Sequence, residues 1–203
     1  MVVLLFEGIQ GVGKTTLISE LERMNAVQNA NFKRPSGAKS DTYVGINRFA
    51  TCAAEEDILK LASVHTHYGV VRDDGAKCWS RERYFAVDRY IASEYAFGHV
   101  CNRAQDYEWL MAIDSELAKT KKVYTVYIMA PRNFVIDNIW ERRGQYTAEL
   151  MIAQLTKALQ YFDEYLKVSK IPVIQYFNDP SMSAASNAVM LKSAIEKELC
   201  TCL

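Results

Sequence analysis

The sequence predicts an α/β domain in three layers, a parallel sheet of five strands covered by helices on both faces. Three observations carry this. Short unbroken apolar runs recur along the chain, longer segments with helical periodicity lie between them, and 203 residues that are 50% hydrophobic suit one core of ordinary size. Strands that alternate with helices are joined by right-handed crossovers, so the strands should be parallel.

Val2 to Phe6, closed by Glu7 and Gly8, has the pattern of a strand buried on both faces. The same pattern recurs in a weaker run ending at Phe32, in YFAV from Tyr84, in VYTVYIM from Val123 and in IPVIQYF from Ile171 to Phe177. Helical periodicity covers Thr15 to Met24, Cys52 to His67 and Ile91 to Leu117, the last as one long helix or two in series. A short helix is expected over Val135 to Arg142. A strong one runs over Ala148 to Val168, with Leu150, Leu155, Leu159 and Phe162 assigned to one face, and Ser183 to Glu198 forms the last. The turn-rich stretches Arg34 to Gly45, Arg72 to Lys77, Arg142 to Thr147 and Asn178 to Ser186 are where ligands are sought, since open α/β sheets bind them beyond the strands' carboxyl ends.

The 24 Lys plus Arg cancel the 24 Asp plus Glu, which excludes a disordered, highly charged chain and removes any global argument for nucleic-acid binding. The five cysteines, Cys52, Cys78, Cys101, Cys200 and Cys202, show no zinc spacing and read as reduced thiols of a cytoplasmic protein. MVVLLFEG lacks the basic start of a signal peptide, and no stretch is long enough to cross a bilayer, so no membrane association is expected.

Gly8-Ile9-Gln10-Gly11-Val12-Gly13-Lys14-Thr15 matches G-x-x-x-x-G-K-[ST], directly after a buried strand and directly before a helix. In that setting the glycines let successive backbone N–H groups turn toward a β-phosphate at the positive end of the helix dipole. Lys14 would reach the β- and γ-phosphates and the Thr15 hydroxyl would ligate Mg²⁺, with ATP as the expected cofactor. The ATP-binding set is Gly8, Gln10, Gly11, Val12, Gly13, Lys14, Thr15 and Thr16. Such a P-loop needs an acid at the end of another buried strand to hold the hydrated metal, and Asp88 follows YFAV. Arg89 beside it is placed to grip an acceptor phosphate through paired hydrogen bonds.

With these residues in place the chain resembles the thymidylate kinase family of P-loop nucleoside monophosphate kinases, from Val2 to about Phe177. EGIQGVGKTT is similar to E-G-x-D-G-x-G-K-T-T, and Asp88, Arg89, Tyr90, Ser93 and Ala96 fit the family's D-R-Y-x-x-S-x-x-A-Y segment. KRPSG, from Lys33 to Gly37, resembles R-E-P-G-G. The resemblance implies that Arg89 and Arg34 hold the acceptor, that Pro35 and Glu7 help shape its pocket, and that residues from about 141 to 148 form a lid whose Arg142 or Arg143 neutralises transition-state charge. Arg132 belongs to the same segment.

The pattern departs at the base and the sugar. Gln10 stands where the family carries an Asp that bonds the acceptor 3′-OH, Leu61 and His65 stand for a stacking Phe and a base-reading Arg, and Phe97 replaces a Tyr. Tyr43, Phe49, Tyr95 and Phe97 could restore stacking. The expected reaction is transfer of the γ-phosphoryl of Mg-ATP to a thymidylate-like deoxynucleoside monophosphate. One alternative is the hydroxymethyl group of 5-hydroxymethyl-deoxyuridine within DNA, because a Gln in place of the Asp would not repel a 3′-phosphodiester. Lys33, Arg34, Lys39, Arg72, Lys77, Arg81, Arg83 and Arg103 would then form the footprint of the strand. A deoxynucleoside kinase is the next alternative, although KRPSG lacks the Glu such enzymes place there as general base. A nucleotide-binding domain without transfer is the non-enzymatic reading. The resemblance also raises a homodimer as an expectation.

Overall fold

The computed structural model describes residues 2–29, 84–102 and 106–201. Five strands in it, β1 (Val2–Glu7), β2 (Val27–Asn29), β3 (Tyr84–Asp88), β4 (Val123–Met129) and β5 (Val173–Phe177), are all parallel and ordered β2-β3-β1-β4-β5. The helices are α1 (Lys14–Arg23), α2 (Ile91–Val100), α3 (Tyr107–Lys119), α4 (Arg132–Arg142), α5 (Gln145–Val168) and α6 (Ala184–Thr201).

β1 is central. Val3, Leu4, Leu5 and Phe6 are wholly buried, which explains why this strand reads as a continuous apolar run. Each such Leu or Phe contributes about 2 kcal/mol by leaving water. α1 packs against α6, and α2 packs against α5. The register sets Phe6 beside Asp88 and Glu7 beside Tyr127, so β1 and β3 end within one residue of each other while β4 runs two residues further. β1 leads by α1 out to β2 while β3 leads across to β4, which makes the carboxyl ends of β1 and β3 the switch point of the sheet.

Several boundaries differ from the sequence reading for identifiable reasons. The stretch from Ile91 to Leu117 divides in two: α2 stops after Val100, Asn102 turns left-handed at φ 49°, and the Asp106 carboxylate caps α3 by accepting from the Trp109 N–H at 2.9 Å. α4 begins at Arg132 behind Pro131, and α5 begins at Gln145, three residues before the expected start. Leu150 is not on the buried face of α5, being 49% exposed while Leu155 and Phe162 are buried. Five residues at 100° each place Leu150 about 140° away from Leu155 around the helix. β5 is an edge strand that alternates, with Ile174 and Tyr176 inward and Phe177 53% exposed, unlike the doubly buried strand expected there. The expected helix over 52–67 and the end of the second run at Phe32 lie outside the described residues. No helix among the described residues is long and apolar enough to cross a membrane, and Cys200 is a free thiol.

Away from the sheet's carboxyl end, wholly buried Asp114 on α3 organises the turn after α5. Its carboxylate accepts from Tyr165 Oη (2.7 Å), Ser169 Oγ (2.5 Å) and the Lys170 N–H (2.7 Å). Burial, with the Asp114 charge next, pushes the Tyr165 phenol well above its usual range, so it stays a donor. Asp114→Ala strands these donors and should cost about 3 kcal/mol or more, seen as a lower urea midpoint at unchanged slope. An unchanged midpoint would remove the network from the account of stability.

Candidate functional site

The segment between β1 and α1 is shaped by what happens to its carbonyls. Lys14 Nζ donates to the Gly8 and Ile9 carbonyls, both at 2.8 Å. Asn138 Nδ2 on α4 donates to the Gly11 carbonyl at 2.7 Å, and Asn178 Nδ2, just after β5, donates to the Val12 carbonyl at 2.8 Å. In a planar trans peptide the N–H points opposite to the C=O, so carbonyls tied outward leave the amides for the concave side.

Two glycines make this path sterically feasible. Gly8 has φ 135° and a Cβ there would sit 2.5 Å from the Ile128 carbonyl oxygen. Gly13 has φ 91° and a Cβ there would sit 2.6 Å from Asn178 Nδ2. Gly13 is also the N-cap of α1 and supplies no side-chain cap, and the first turn of α1 holds no acid. The opening amides of this helix, at Lys14, exposed Thr15 and exposed Thr16, therefore face a site suited to an anion.

Lys14 is only 5% exposed. Burial, and then the Arg89 charge, hold its ammonium well below the usual lysine range, while Asp88 and Glu7 oppose the shift. A polyanion brought against it would restore the charged form.

The Thr15 hydroxyl donates to Asp88 Oδ2 at 2.8 Å. Asp88 Oδ1 is buried and has no hydrogen-bond partner among the described residues. A buried carboxylate oxygen without a donor, next to a threonine hydroxyl, fits a hydrated divalent cation of the Mg²⁺ kind. No group of three or more His, Cys, Asp or Glu among the described residues could form a complete metal cage, so such an ion would draw its other ligands from water and a bound phosphate.

Arg89 adopts φ 70°, a left-handed conformation that costs about 1–2 kcal/mol in a non-glycine residue. Contacts on both sides of it hold the turn. The Arg89 N–H donates to the Phe6 carbonyl (3.0 Å), and the Glu7 carboxylate accepts from the Tyr90 N–H (2.7 Å) and from Ser93 Oγ. The Arg89 guanidinium lies 5.1 Å from the centre of the Phe97 ring, which itself meets Phe162 edge to face.

Glu7 is among the expected substrate-binding residues, and in the structure its carboxylate is turned to the protein. It is 1% exposed and both oxygens are taken by protein donors, so it lies behind the site and fixes the turn carrying Arg89. Burial raises its carboxyl above the usual range, against the pull of Ser93, Tyr90, Arg89 and Lys14. Tyr95, a stacking candidate, packs instead against His99, Tyr107 and Tyr165.

At the α4–α5 junction Arg142 and Arg143 are both exposed, and Arg143 is the one that turns to the loop. The Gln10 amide, oriented with its oxygen toward the guanidinium, accepts from Arg143 Nη2 at 2.6 Å and from Nε at 3.2 Å. Arg34, Pro35, Leu61 and His65, with Tyr43, Phe49 and the whole proposed strand footprint from Lys33 to Arg103, lie outside the described residues.

Asn138 and Asn178 were missed from the sequence. Asn178 sits where a turn-rich stretch leaves the fifth apolar run, a signal that marks a loop near the site without indicating a bond to Val12. Asn138 carries no sequence signal, because only packing aims it at Gly11.

No family model matches the chain, and no curated protein matches it in sequence. Solved structures do match in fold. A deoxyadenosine kinase from M. mycoides, with products dCMP and dCDP bound, is 12% identical with a TM-score of 0.56 over 96% of this chain and 99% of that one. A second structure of that enzyme, with bound dATP, is 16% identical with a TM-score of 0.51 at the same coverage. Thymidylate kinase from Candida albicans is 17% identical with a TM-score of 0.50, over 97% of this chain and 92% of that one. At these identities the likeness concerns the fold alone, a parallel α/β sheet covered by helices.

Proposed function

We propose that this chain, residues 1–203, is a single kinase domain that transfers the γ-phosphoryl of Mg-ATP to a thymidylate-like deoxynucleoside monophosphate. The observation that carries the reading is the loop from Gly8 to Thr15, whose carbonyls are tied back by Lys14, Asn138 and Asn178 beside the Thr15–Asp88 pair.

Phosphoryl transfer asks a protein mainly to position two reactants and to neutralise charge on the equatorial oxygens. Loop amides and Lys14 bind the β- and γ-phosphates. Thr15 and Asp88 would hold Mg²⁺, which when bound would act as a Lewis acid and offset charge developing in the transfer. Arg89, fixed by its turn, holds the acceptor phosphate, with Arg34 and Pro35 assigned beside it by family resemblance. Arg143, with Arg142 next to it, belongs to a lid at about residues 141–148 that closes on the triphosphate.

A second reading is transfer to the 5′-hydroxyl of a deoxynucleoside, favoured by the fold likeness to deoxyadenosine kinase. The acceptor's chemistry separates the two. A phosphate oxygen is already anionic, whereas a hydroxyl needs a base; at the described site both Glu7 oxygens are engaged by Tyr90 and Ser93, and Asp88, bonded to Thr15 through one oxygen, is assigned to the cation. This supports the monophosphate as acceptor. Label transfer from γ-labelled ATP should be compared across dTMP, dUMP, deoxynucleosides and DNA containing 5-hydroxymethyluracil. The expected label is on dTMP or dUMP; label on nucleosides alone selects the second reading, and label on DNA alone selects the DNA kinase.

Lys14→Ala should lower turnover by about 10²- to 10³-fold, the scale of losing one preorganised transition-state cation or donor. Its melting temperature should fall only modestly, because the stranded Gly8 and Ile9 carbonyls are partly offset by removal of a costly buried amine; a lost fold would make the residue structural. Arg89→Ala should raise the acceptor KM and lower transfer more than it weakens ATP binding, and equal losses would dismiss its assigned role.

The depressed Lys14 pKa gives a sign for pH. Between its low value in the free protein and a higher one beside polyphosphate, nucleotide binding takes up a proton, so affinity declines as pH rises through that window. Calorimetry in buffers of different ionisation enthalpy should show net uptake, abolished in Lys14→Ala. Proton release on binding would contradict the assignment.

A further inference from the structure

The contact between Gln10 and Arg143 joins two parts that the family pattern treats separately. Gln10 belongs to the loop that cradles phosphate, and Arg143 ends α4 with an extended backbone at φ −130° and ψ 150°. The path of α4 itself rests on the next loop residue: a Cβ at Gly11 would come within 2.7 Å of the Val135 carbonyl oxygen, and Asn138, one turn before Arg142, bonds the Gly11 carbonyl. Gln10 and Gly11 together form the seat of the lid helix.

From this geometry we infer that Gln10 is a positioning residue that holds the Arg143 guanidinium over the phosphate loop through a neutral oxygen. The inference rests on the proposed kinase reading and assigns Gln10 to the lid, where the family pattern would assign it to the acceptor sugar.

The choice of an amide matters. An amide oxygen accepts from both Nη2 and Nε while leaving the guanidinium charge uncompensated, so a polyphosphate can draw the arginine away at little cost. A carboxylate at the same position would neutralise the guanidinium in an ion pair that competes with phosphate. Alanine would leave the arginine unrestrained, and the side-chain ordering would then have to be supplied during closure. Both kinds of change should slow transfer, for opposite reasons.

Two measurements on the full chain test this. Side-chain ¹⁵Nε NMR, with the Arg143 signal assigned by its loss in Arg143→Lys, should show a restrained Nε–H in the native protein and in Gln10→Glu, and an averaged one in Gln10→Ala. A mobile Nε–H in the native protein overturns the inference whether or not any acceptor is phosphorylated. In the transfer assay, Gln10→Ala and Gln10→Glu should each lower kcat by about tenfold while the acceptor KM stays within about twofold. Combining Gln10→Ala with Arg143→Ala should add less than about twofold to the loss from Arg143→Ala alone. Additive losses, or an acceptor KM that rises at constant kcat, would return Gln10 to the sugar. Absence of transfer to every acceptor would sink the kinase reading, and the NMR result would still decide the contact.

Discussion

The site depends on the outward fixing of the Gly8, Ile9, Gly11 and Val12 carbonyls. A loop that turns its amides toward one anion must find donors elsewhere for its carbonyls, since each buried carbonyl left unmet costs about 1–3 kcal/mol. Lys14 supplies two of these bonds from within the motif. Asn138 and Asn178 supply the others from 127 and 166 residues along the chain. The loop is thus held by α4 and by the end of β5 as well as by its own sequence. This arrangement ties the mouth of α1 to α4 and to the end of β5.

Charge is concentrated in the same place. Glu7, Lys14, Asp88 and Arg89 gather where β1 and β3 end, with Glu7 and Lys14 almost wholly out of water. Burying such groups is expensive unless hydrogen bonds and opposite charges offset the loss of hydration. The offsets here are incomplete. Lys14 is held below its normal pKa, Asp88 retains a buried oxygen without a described partner, and Arg89 sits in a left-handed backbone conformation. Each feature matches what the proposed ligand, a polyphosphate with its cation, would relieve or use. Glu7, by clamping Tyr90 and Ser93, keeps the strained turn from relaxing.

Legibility followed the range of the interaction that fixes each feature. β1 and β4 were readable because a central parallel strand is apolar on both faces. β5 was read as doubly buried, yet an edge position exposes Phe177 and Gln175, and nothing within the strand states which edge it will occupy. The apolar content of α5 was plain, whereas the membership of Leu150 in its buried face was not, since helical phase decides it. Gln10 was legible as a loop residue but not as a partner of Arg143.

The sequence by itself determined the alternation of strand and helix, the glycine-lysine-threonine loop and the acid at the end of β3, because local patterns of residue type and backbone freedom specify these. Tertiary structure alone decided which of two adjacent arginines turns to the loop, that Glu7 accepts from Tyr90 and Ser93, and that two distant asparagines hold the loop's carbonyls. Those outcomes are set by the direction of side chains across packed elements, and a side chain's direction depends on neighbours brought near only when the sheet and its helices assemble.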